Sequence, residues 1–536
     1  MATFRCAECS LTYATRNLLF AHLDAADHYQ TGHEGVGAVD GLAALDSPSF
    51  RGYYAAQLGL DPELWERNLG LLRTPLPHTV RGTASSPHTA RVLAVLAAQP
   101  GTSLAALPLR PPAAGWTLAA RDQATASVVA AAQDIGALQR QEVCSMIPPL
   151  ALAPRPHHAV LDLCAAPGSK TLMLLDAMHS TDEAGPPTGI LVANDVSRDR
   201  AMTIAHRSRR QDRAPFLLLS CDARRFPSLY RRAYKLRYDR VLCDVPCSGD
   251  GTLRKNRSMW PKWQVKEGMS LHLLQLAILK RGVELLVDGG RLLYSTCSLN
   301  PLEDEAVIAA ALRHFGTAAL KLVEIDPSAL EAVDGGCQGL SRWGVPSASF
   351  AEDGGTLYSS YEDVPADSVR SKKGKGVSLC RTMFAPLSNN SEEGDHSEPD
   401  EMAETNRAIA AQLHRCRRVL PSQGDTGGFF VALLERSRSA KEPQPQPEPE
   451  PEPEPVAAPD VEIQTVSEAE AQTVTTAGPQ ADKPGWGDAG RSSRRWIYRP
   501  LDAAALADFT SWYGLEGLDL DLLRVDGGGR IVLVRL

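Results

Sequence analysis

A doubly wound α/β sheet is the fold predicted for residues 151–436, and three observations predict it. Five β-rich runs between residues 159 and 296 alternate with helix-length segments, the runs are apolar throughout, and three of them close on an aspartate. The runs are AVLDLC, ILVAND, FLLLSCD, YDRVLCDVP and GRLLYST. Strands that are continuously apolar, rather than alternating, belong to a parallel sheet covered on both faces. The connections must then be helices, and MSLHLLQLAILKRGVELLV fits one. It places Leu271, Leu274, Ile278 and Leu285 at helical spacing as a core-facing stripe.

The remaining chain is read around that unit. With 536 residues, 43% hydrophobic and 22% charged, it is too long for one core and too apolar for wholesale disorder. Residues 48–150 form a helical, RNA-binding region, in which 117–150 carries an Ala-rich helical composition. Residues 388–404 read as an acidic disordered insert, and RCRRVLPSQGDTGGFFVALLE (415–435) as a hairpin-like strand, Phe429 to Leu434, fed by Gly427 and Gly428. Residues 437–490 hold EPQPQPEPEPEPEP, an extended polyproline linker, and 491–536 a short C-terminal module too small for a core of its own. No run approaches the ~18 apolar residues of a membrane span. The chain is expected to be soluble, intracellular and monomeric, and its eleven cysteines to be thiols, metal ligands or nucleophiles rather than disulfides.

Net charge is −8, but two acidic stretches, 388–404 with seven acids and 442–470 with nine, contain no Lys or Arg. Setting those sixteen acids aside leaves +8 on the rest. Residues 198–257 alone carry sixteen Lys and Arg against six acids. Such a stripe, including Arg207, Arg209, Arg210, Arg224, Arg225, Arg231, Arg232 and Lys235, suits a phosphate backbone, although many basic runs are only solvated faces.

At the N-terminus, residues 1–30 place Cys6, Cys9, His22 and His28 in a C-x2-C-x12-H-x5-H spacing that suits one tetrahedral Zn2+. Phe4, Tyr13 and Leu19 fall where a ββα zinc finger needs its small core. With only Arg16 and Asn17 as base-reading side chains, contact with RNA or protein is expected rather than sequence-specific DNA readout.

The first βα turn, LDLCAAPGSKT, is neither a dinucleotide fingerprint nor a phosphate loop, because only Gly168 lies in it. Asp195, Asp222 and Asp244 close the second, third and fourth strands. One strand-end Asp is commonly a helix cap. Three in register line the carboxyl edge where ligands bind, and they suit S-adenosylmethionine: Asp195 can accept the ribose hydroxyls, Asp222 the adenine amino group, and a sulfonium needs no phosphate cradle. Two thiols open on the same edge, Cys247 in DVPCSGDGTLRKN and Cys297 in YSTCSLNPLEDE. Cytosine C5 accepts a methyl group only after a thiolate adds to C6, and a second group must then help remove the C5 proton and the thioether. A free thiol near pKa ~8.5 is mostly protonated at neutral pH, so the attacking one needs cationic surroundings, for which Lys170 and the basic stripe are candidates. Cys164, Cys221 and Cys243 sit among strand residues and read as packing. Cys144, Cys337, Cys380 and Cys416 carry no motif.

CAAPGSK, DVPCSGDGTLRKN, YSTCSLNPLEDEAV and RCRRVLPSQGDTGGFFVALLE closely resemble the Sun/Nop family of RNA cytosine-5 methyltransferases. TPLPHTVR and RQEVCSMIPPLAL are similar to its eukaryotic tRNA-modifying branch, and the resemblance covers about residues 48–436. It implies a Rossmann-like S-adenosylmethionine-dependent fold, tRNA as substrate and residence in the nucleus. It further implies that Cys297 is the nucleophile, that Cys247 assists product release, that Asp244 bonds the cytosine N3 and that Lys170 orients the site. Cys164, Ala165, Ala166, Pro167, Gly168, Ser169, Lys170, Asp195, Asp222 and Asp244 would line the cofactor site. The finger is no part of the usual family pattern, and residues 491–536 are shorter than the RNA-binding barrel that ends the tRNA branch. Two alternatives remain at this stage: a ribosomal or messenger RNA cytosine as target, and a catalytically inactive RNA-binding scaffold.

Overall fold

The computed structural model describes residues 45–437 except 110–112, 120–122, 180–186, 209–215, 232–233, 348–349, 351–354, 366–378 and 388–399. It also describes the short strands Phe4–Arg5, Thr12–Tyr13, Arg499–Pro500, Arg524–Val525 and Ile531–Arg535. Two compact units are distinguished, and the second, Ser439–Ile497, lies outside the described residues.

The chain enters through two capped helices. Helix α1 (Pro48–Leu58) starts at Ser47, whose hydroxyl accepts the Phe50 amide, and α2 (Pro62–Leu72) at Asp61, which accepts those of Glu63 and Leu64. Each has proline in its first turn, where a missing N–H costs nothing. Strand β1 (His78–Gly82), helix α3 (Thr89–Ala97), strands β2 (Leu104–Ala106) and β3 (Ala114–Leu118), helix α4 (Gln123–Asp134) and strand β4 (Leu138–Arg140) then form an antiparallel sheet in the order β2-β3-β1-β4. Val80, Leu96, Leu118, Val129 and Leu138 are its core. Sequence reading missed this sheet, because strands of three to five residues are too short to show a period. Helix α5 (Val143–Leu152) leads into the larger domain.

There the expected strands appear: β5 (Ala159–Asp162), β6 (Ile190–Asn194), β7 (Phe216–Ser220), β8 (Tyr238–Asp244) and β9 (Leu286–Thr296). Helices α6 (Ser169–His179) and α7 (Arg198–Ser208) follow β5 and β6, and α8 (Val265–Leu285) leads into β9. Beyond them come α9 (Glu305–Phe315), β10 (Leu320–Leu322), β11 (Cys337–Gln338), α10 (Asp400–Leu413), β12 (Arg417–Val419) and β13 (Phe429–Arg436). The sheet runs β11-β12-β13-β9-β8-β5-β6-β7, with β5 to β9 mutually parallel and β13 antiparallel to β9. All five residues of β6 and of β7 are buried, which is why their sequence shows no alternation. One face packs α5, α6 and α7; the other packs α8 and α9 and a cluster of Phe50, Tyr53, Tyr54, Trp65, Trp260 and Trp263. In that cluster the Phe50 ring meets Trp263 edge-on at 5.2 Å, so helix α1 is part of the sheet's core.

Two expectations change, the inward face of α8 and the extent of the acidic insert. Leu271 and Leu274 are only half-buried; the inward stripe of α8 includes Gly268, His272, Gln275, Leu279 and Gly282, so polar groups enter the core. Residues 400–404, expected as disordered, begin α10, which Ile409 and Leu413 anchor; residues 388–399 lie outside the described residues. From the C-terminal module, strand β14 (Ile531–Arg535) lies parallel to β7 with Ile531 opposite Phe216, extending the main sheet. At the N-terminus Phe4–Arg5 pairs antiparallel with Thr12–Tyr13, whereas Cys6, Cys9, His22 and His28 lie outside the described residues. Among the described residues there is no metal-ligating cluster and no helix long and apolar enough to cross a membrane.

Candidate active site

Chain order reverses at β5, which has β6 and β7 on one side and β8 and β9 on the other. Loops leaving the carboxyl ends on either side diverge, and a crevice opens between them. The 164–170 loop, Asp195, Asp222, Asp244, Cys247 and Cys297 all lie at the carboxyl ends of these strands.

The loop after β5 turns on Gly168, whose φ of +100° favours glycine. Ala165 donates its amide to the Asn194 carbonyl at 2.8 Å, and Ala166 its amide to Asp195 Oδ2 at 3.2 Å. Asp195 Oδ1 takes the Ser197 amide at 2.9 Å, and Arg200 approaches Oδ2 at 3.6 Å. Asp195 is thus a buried clamp between the first loop and the second strand. Asp222 caps the short turn Ala223–Arg225 and pairs with Arg224 at 2.5 Å; that hydrogen bond holds its carboxyl below the usual carboxylate range. Behind the loop, Asp162 accepts the Thr171 hydroxyl at 2.8 Å with one oxygen, while the other is buried without a partner, and burial pushes its carboxyl up to about 7. Cys164 is half-buried against the core, and burial pushes its thiol well up, which agrees with packing.

Asp244 ends β8. Its Oδ2 lies 2.9 Å from Lys170 Nζ, and its Oδ1 accepts the Ser295 hydroxyl at 2.7 Å. Burial would lower Lys170, but Asp244 outweighs it and raises the ammonium above its ordinary value, so Lys170 stays charged. Its Nζ also sits 5.6 Å over the Phe429 ring. Beyond Asp244, the two predicted thiols meet: Cys247 Sγ and Cys297 Sγ are 3.2 Å apart. Contact with Cys297 and then burial push the Cys247 thiol well above its ordinary value. Backbone bonds pack this corner closely. The Gly251 amide donates to the Cys297 carbonyl at 2.9 Å and the Gly428 amide to the Gly251 carbonyl at 2.8 Å. A Cβ on Gly251 would meet the Cys297 oxygen at 2.8 Å, so no other residue fits.

Several participants escaped sequence reading. Glu303 is fully buried and accepts from Ser248, Ser298 and Gln275. Burial and then Asp250 push its carboxyl up to about 7, against those donors. Asp250 accepts the Tyr54 hydroxyl of α1, the Leu299 amide at 2.9 Å and Trp263 Nε1 at 3.4 Å. Lys255 pairs with Glu142, which also takes the Gly427 amide at 3.1 Å. Burial would lower the Lys255 ammonium, but Glu142 outweighs it with help from Cys297, so Lys255 and Lys170 both place positive charge near that sulfur. Arg418, buried, joins Asp304 at 3.1 Å and Glu305, and Asp304 in turn accepts the Thr296 hydroxyl at 2.6 Å beside Cys297. The LEDE string holds three of these acids, but it reads as a helix start until the tertiary structure buries it.

The basic stripe is corrected in part. Arg224 pairs with Asp222, Arg207 donates to the Pro167 carbonyl and Gln139, and buried Arg254 holds the carbonyls of Thr74, Pro75 and Thr426. Arg240 sits at the opposite end of β8, in a cavity of about 580 Å³ with Arg155, Arg291, Lys321 and Glu435. These described members bond protein groups rather than forming one phosphate-facing row. Arg209, Arg210 and Arg232 lie outside the described residues, and the side chain of Arg231 is undescribed.

Five parallel strands in the order β7-β6-β5-β8-β9, with an antiparallel β13 beside β9, define a Rossmann-like methyltransferase fold. Residues 149–342 match the model of the family described as 16S rRNA methyltransferase RsmB/F. The chain is 36% identical over 423 residues to a multisite-specific tRNA:(cytosine-C(5))-methyltransferase of Saccharomyces cerevisiae, covering 73% of this chain and 55% of the relative. It is 38% identical over 317 residues to a tRNA (cytosine(34)-C(5))-methyltransferase of Drosophila melanogaster, covering 56% of this chain and 37% of the relative. The chain therefore spans about half or less of the length of these two relatives.

Proposed function

We propose that the chain transfers a methyl group from S-adenosylmethionine to C5 of a cytosine in RNA, and that the RNA is a tRNA. The carrying observation is the pair of thiols 3.2 Å apart on the carboxyl edge, beside the Lys170–Asp244 ion pair. Two thiols and a fixed cation at one ligand crevice match the demands of cytosine C5, which needs an attacking sulfur and a second group for elimination. The tRNA assignment is supported by the printed names of the two relatives.

The donor set fits the cofactor. A short small-residue loop approaches the crevice, Asp195 and Asp222 end adjacent strands, and a buried Asp162 oxygen has no protein partner. Residues Cys164 to Lys170, with Asp195, Asp222 and Asp244, would hold S-adenosylmethionine, which supplies an electrophilic methyl group when bound. In this reading Cys297 sulfur bonds to cytosine C6, leaving the C5–C4 side electron-rich. The proton given up by the Cys297 thiol ends on N3 of the ring, whose N–H the Asp244 carboxylate then accepts, and Lys170 keeps Asp244 oriented. Once C5 carries the methyl group, Cys247 assists loss of the C5 proton and breakage of the Cys297–C6 bond. Residues 1–30 as a Zn2+ finger that adds RNA contacts, and residence in the nucleus, belong to the same proposal and rest on ligand spacing and family resemblance respectively.

Purified chain, S-adenosylmethionine and tRNA transcripts test it. Cys297→Ala is expected to abolish both methylation and covalent protein–RNA adduct, whereas Cys247→Ala accumulates adduct and slows turnover; exchanged phenotypes would exchange the two roles. Deleting residues 1–35 is expected to weaken tRNA binding, and unchanged affinity would remove the finger from the proposal. A second reading, a ribosomal RNA target, is favoured only by the description of the matched family model. Bisulfite sequencing of RNA from cells lacking the protein separates the two.

A further inference from the structure

We propose that Glu303 is a positioning residue that ties the two cysteine loops together and thereby sets the separation of the thiols. The inference rests on the reading that these thiols carry the reaction. Cys247 and Cys297 lie just beyond the ends of adjacent strands β8 and β9. Backbone bonds already join their loops, from the Val245 amide to the Ser295 carbonyl and from the Gly251 amide to the Cys297 carbonyl; Glu303 adds side-chain bonds at the residues next to the sulfurs, which lie 3.2 Å apart. Glu303 Oε1 accepts the Ser248 amide at 2.8 Å and Gln275 Nε2 at 3.0 Å; Oε2 accepts the Ser248 hydroxyl at 2.5 Å and the Ser298 hydroxyl at 2.8 Å. Ser248 and Ser298 are the residues that directly follow the two cysteines. One carboxyl group therefore grips both loops next to their sulfurs.

The grip is itself fixed. Gln275 also donates to the Pro246 carbonyl at 3.0 Å, so a Glu–Gln pair holds the chain on both sides of Cys247. Glu303 donates its amide to the Asn300 carbonyl at 2.9 Å and accepts the Tyr294 hydroxyl on its own carbonyl at 2.5 Å. Gly268 leaves the necessary room, since a Cβ there would lie 2.7 Å from Glu303 Oε2. No described lysine or arginine touches the carboxyl group. A buried acid held only by neutral donors contributes little to stability relative to a well-packed apolar residue, but it rigidly orients what it bonds.

The bond pattern separates a tether from an acid. Glutamine can keep its oxygen toward the Ser248 amide and Gln275 while its NH2 group donates to the two serine hydroxyls, which rotate to accept. Aspartate is one methylene too short to reach both loops. Three variants, Glu303→Gln, Glu303→Asp and Glu303→Ala, are compared with wild type in two assays. The first is diamide-driven disulfide formation between Cys247 and Cys297, followed by mass spectrometry, which reads thiol proximity without RNA. The second is single-turnover formation of the Cys297–RNA adduct. Glu303→Ala and Glu303→Asp are expected to couple the thiols at least tenfold more slowly and to form adduct about 100-fold more slowly, with RNA and cofactor KM unchanged; Glu303→Gln is expected within about threefold of wild type. Wild-type disulfide and adduct rates in Glu303→Ala would overturn the proposal, as would a Glu303→Gln as slow as Glu303→Ala, since charge would then be what matters. If Glu303→Ala does not fold, the double variant Ser248→Ala/Ser298→Ala, which removes both hydroxyl bonds, must show the slow thiol coupling or the tether fails. A wild-type chain that couples its thiols but neither forms adduct nor methylates RNA sinks the proposed function instead.

Discussion

Around Cys247 and Cys297, the carboxyl edge is held by buried side chains drawn from α1, α8, α9 and β12: Tyr54 on Asp250, Gln275 on Glu303, and Arg418 on Asp304 and Glu305. Around Asp195 and Asp222, on the other half of the same edge, the polar groups bond backbone amides, those of Ser197 and Arg224 in their own loops and that of Ala166 in the loop after β5, and two exposed arginines, Arg200 and Arg224. The physical demands differ. A covalent step requires atoms held to fractions of an ångström, which only a fully bonded, water-excluded network supplies. A diffusible ligand requires groups that solvent can leave and the ligand can enter.

Breaking the buried half should have the largest effect on folding. Arg418→Met leaves Asp304 and Glu305 without their cation in a dry core, and unfolding in urea is expected to require ~3–5 kcal/mol less; restoring most of that loss with Asp304→Asn and Glu305→Gln would show that uncompensated charge was the cause. His272, on α8, shows the same burial through pH. Its Nδ1–H donates to the Leu302 carbonyl at 2.7 Å, its Nε2 accepts the Thr382 hydroxyl at 2.9 Å, and burial pulls its pKa down to about 4. An unfolded chain binds this proton near pH ~6.5 and the folded one only near its lowered value, so stability falls as pH drops through that window. Integrated over that window the loss is about 3 kcal/mol at most. Urea midpoints between pH 4.5 and 7.5 should therefore show a shallower acid loss in His272→Gln, about the order of one proton's contribution. The open half should respond least. Asp222→Ala is expected to raise the cofactor KM by about tenfold, or ~1.4 kcal/mol, and to leave Tm unchanged because its partner Arg224 is exposed. A lowered Tm with unchanged KM would place Asp222 among the structural groups and erase the contrast.

What could be read from residue order follows the same division. The five parallel strands are recognisable because each is a buried apolar run, and Asp195, Asp222, Asp244, Cys247 and Cys297 are recognisable because each sits at the end of such a run. The strands of the smaller sheet are not, since three to five residues bearing mixed polarity carry no period. The crossover helix α8 misled for a related reason: its leucines suggested one face, whereas His272 and Gln275 are buried because their hydrogen-bond partners lie across the core. Tyr54 and Asp250 are 196 residues apart, and Arg254 and Thr426 are 172 apart, and nothing local in either member announces the other.

Sequence alone thus determined the class of sheet, the edge on which ligands meet it and the two sulfurs that open there, because burial and strand ends leave marks on neighbouring residues. Tertiary structure decided where each charge finds its partner: Arg254 and much of the basic stripe bond the chain's own carbonyls and carboxylates, while Lys170 and Lys255, paired with Asp244 and Glu142, also stand near Cys297. Charge carries no mark of its partner until folding brings distant groups within a few ångströms in a medium too dry to screen them.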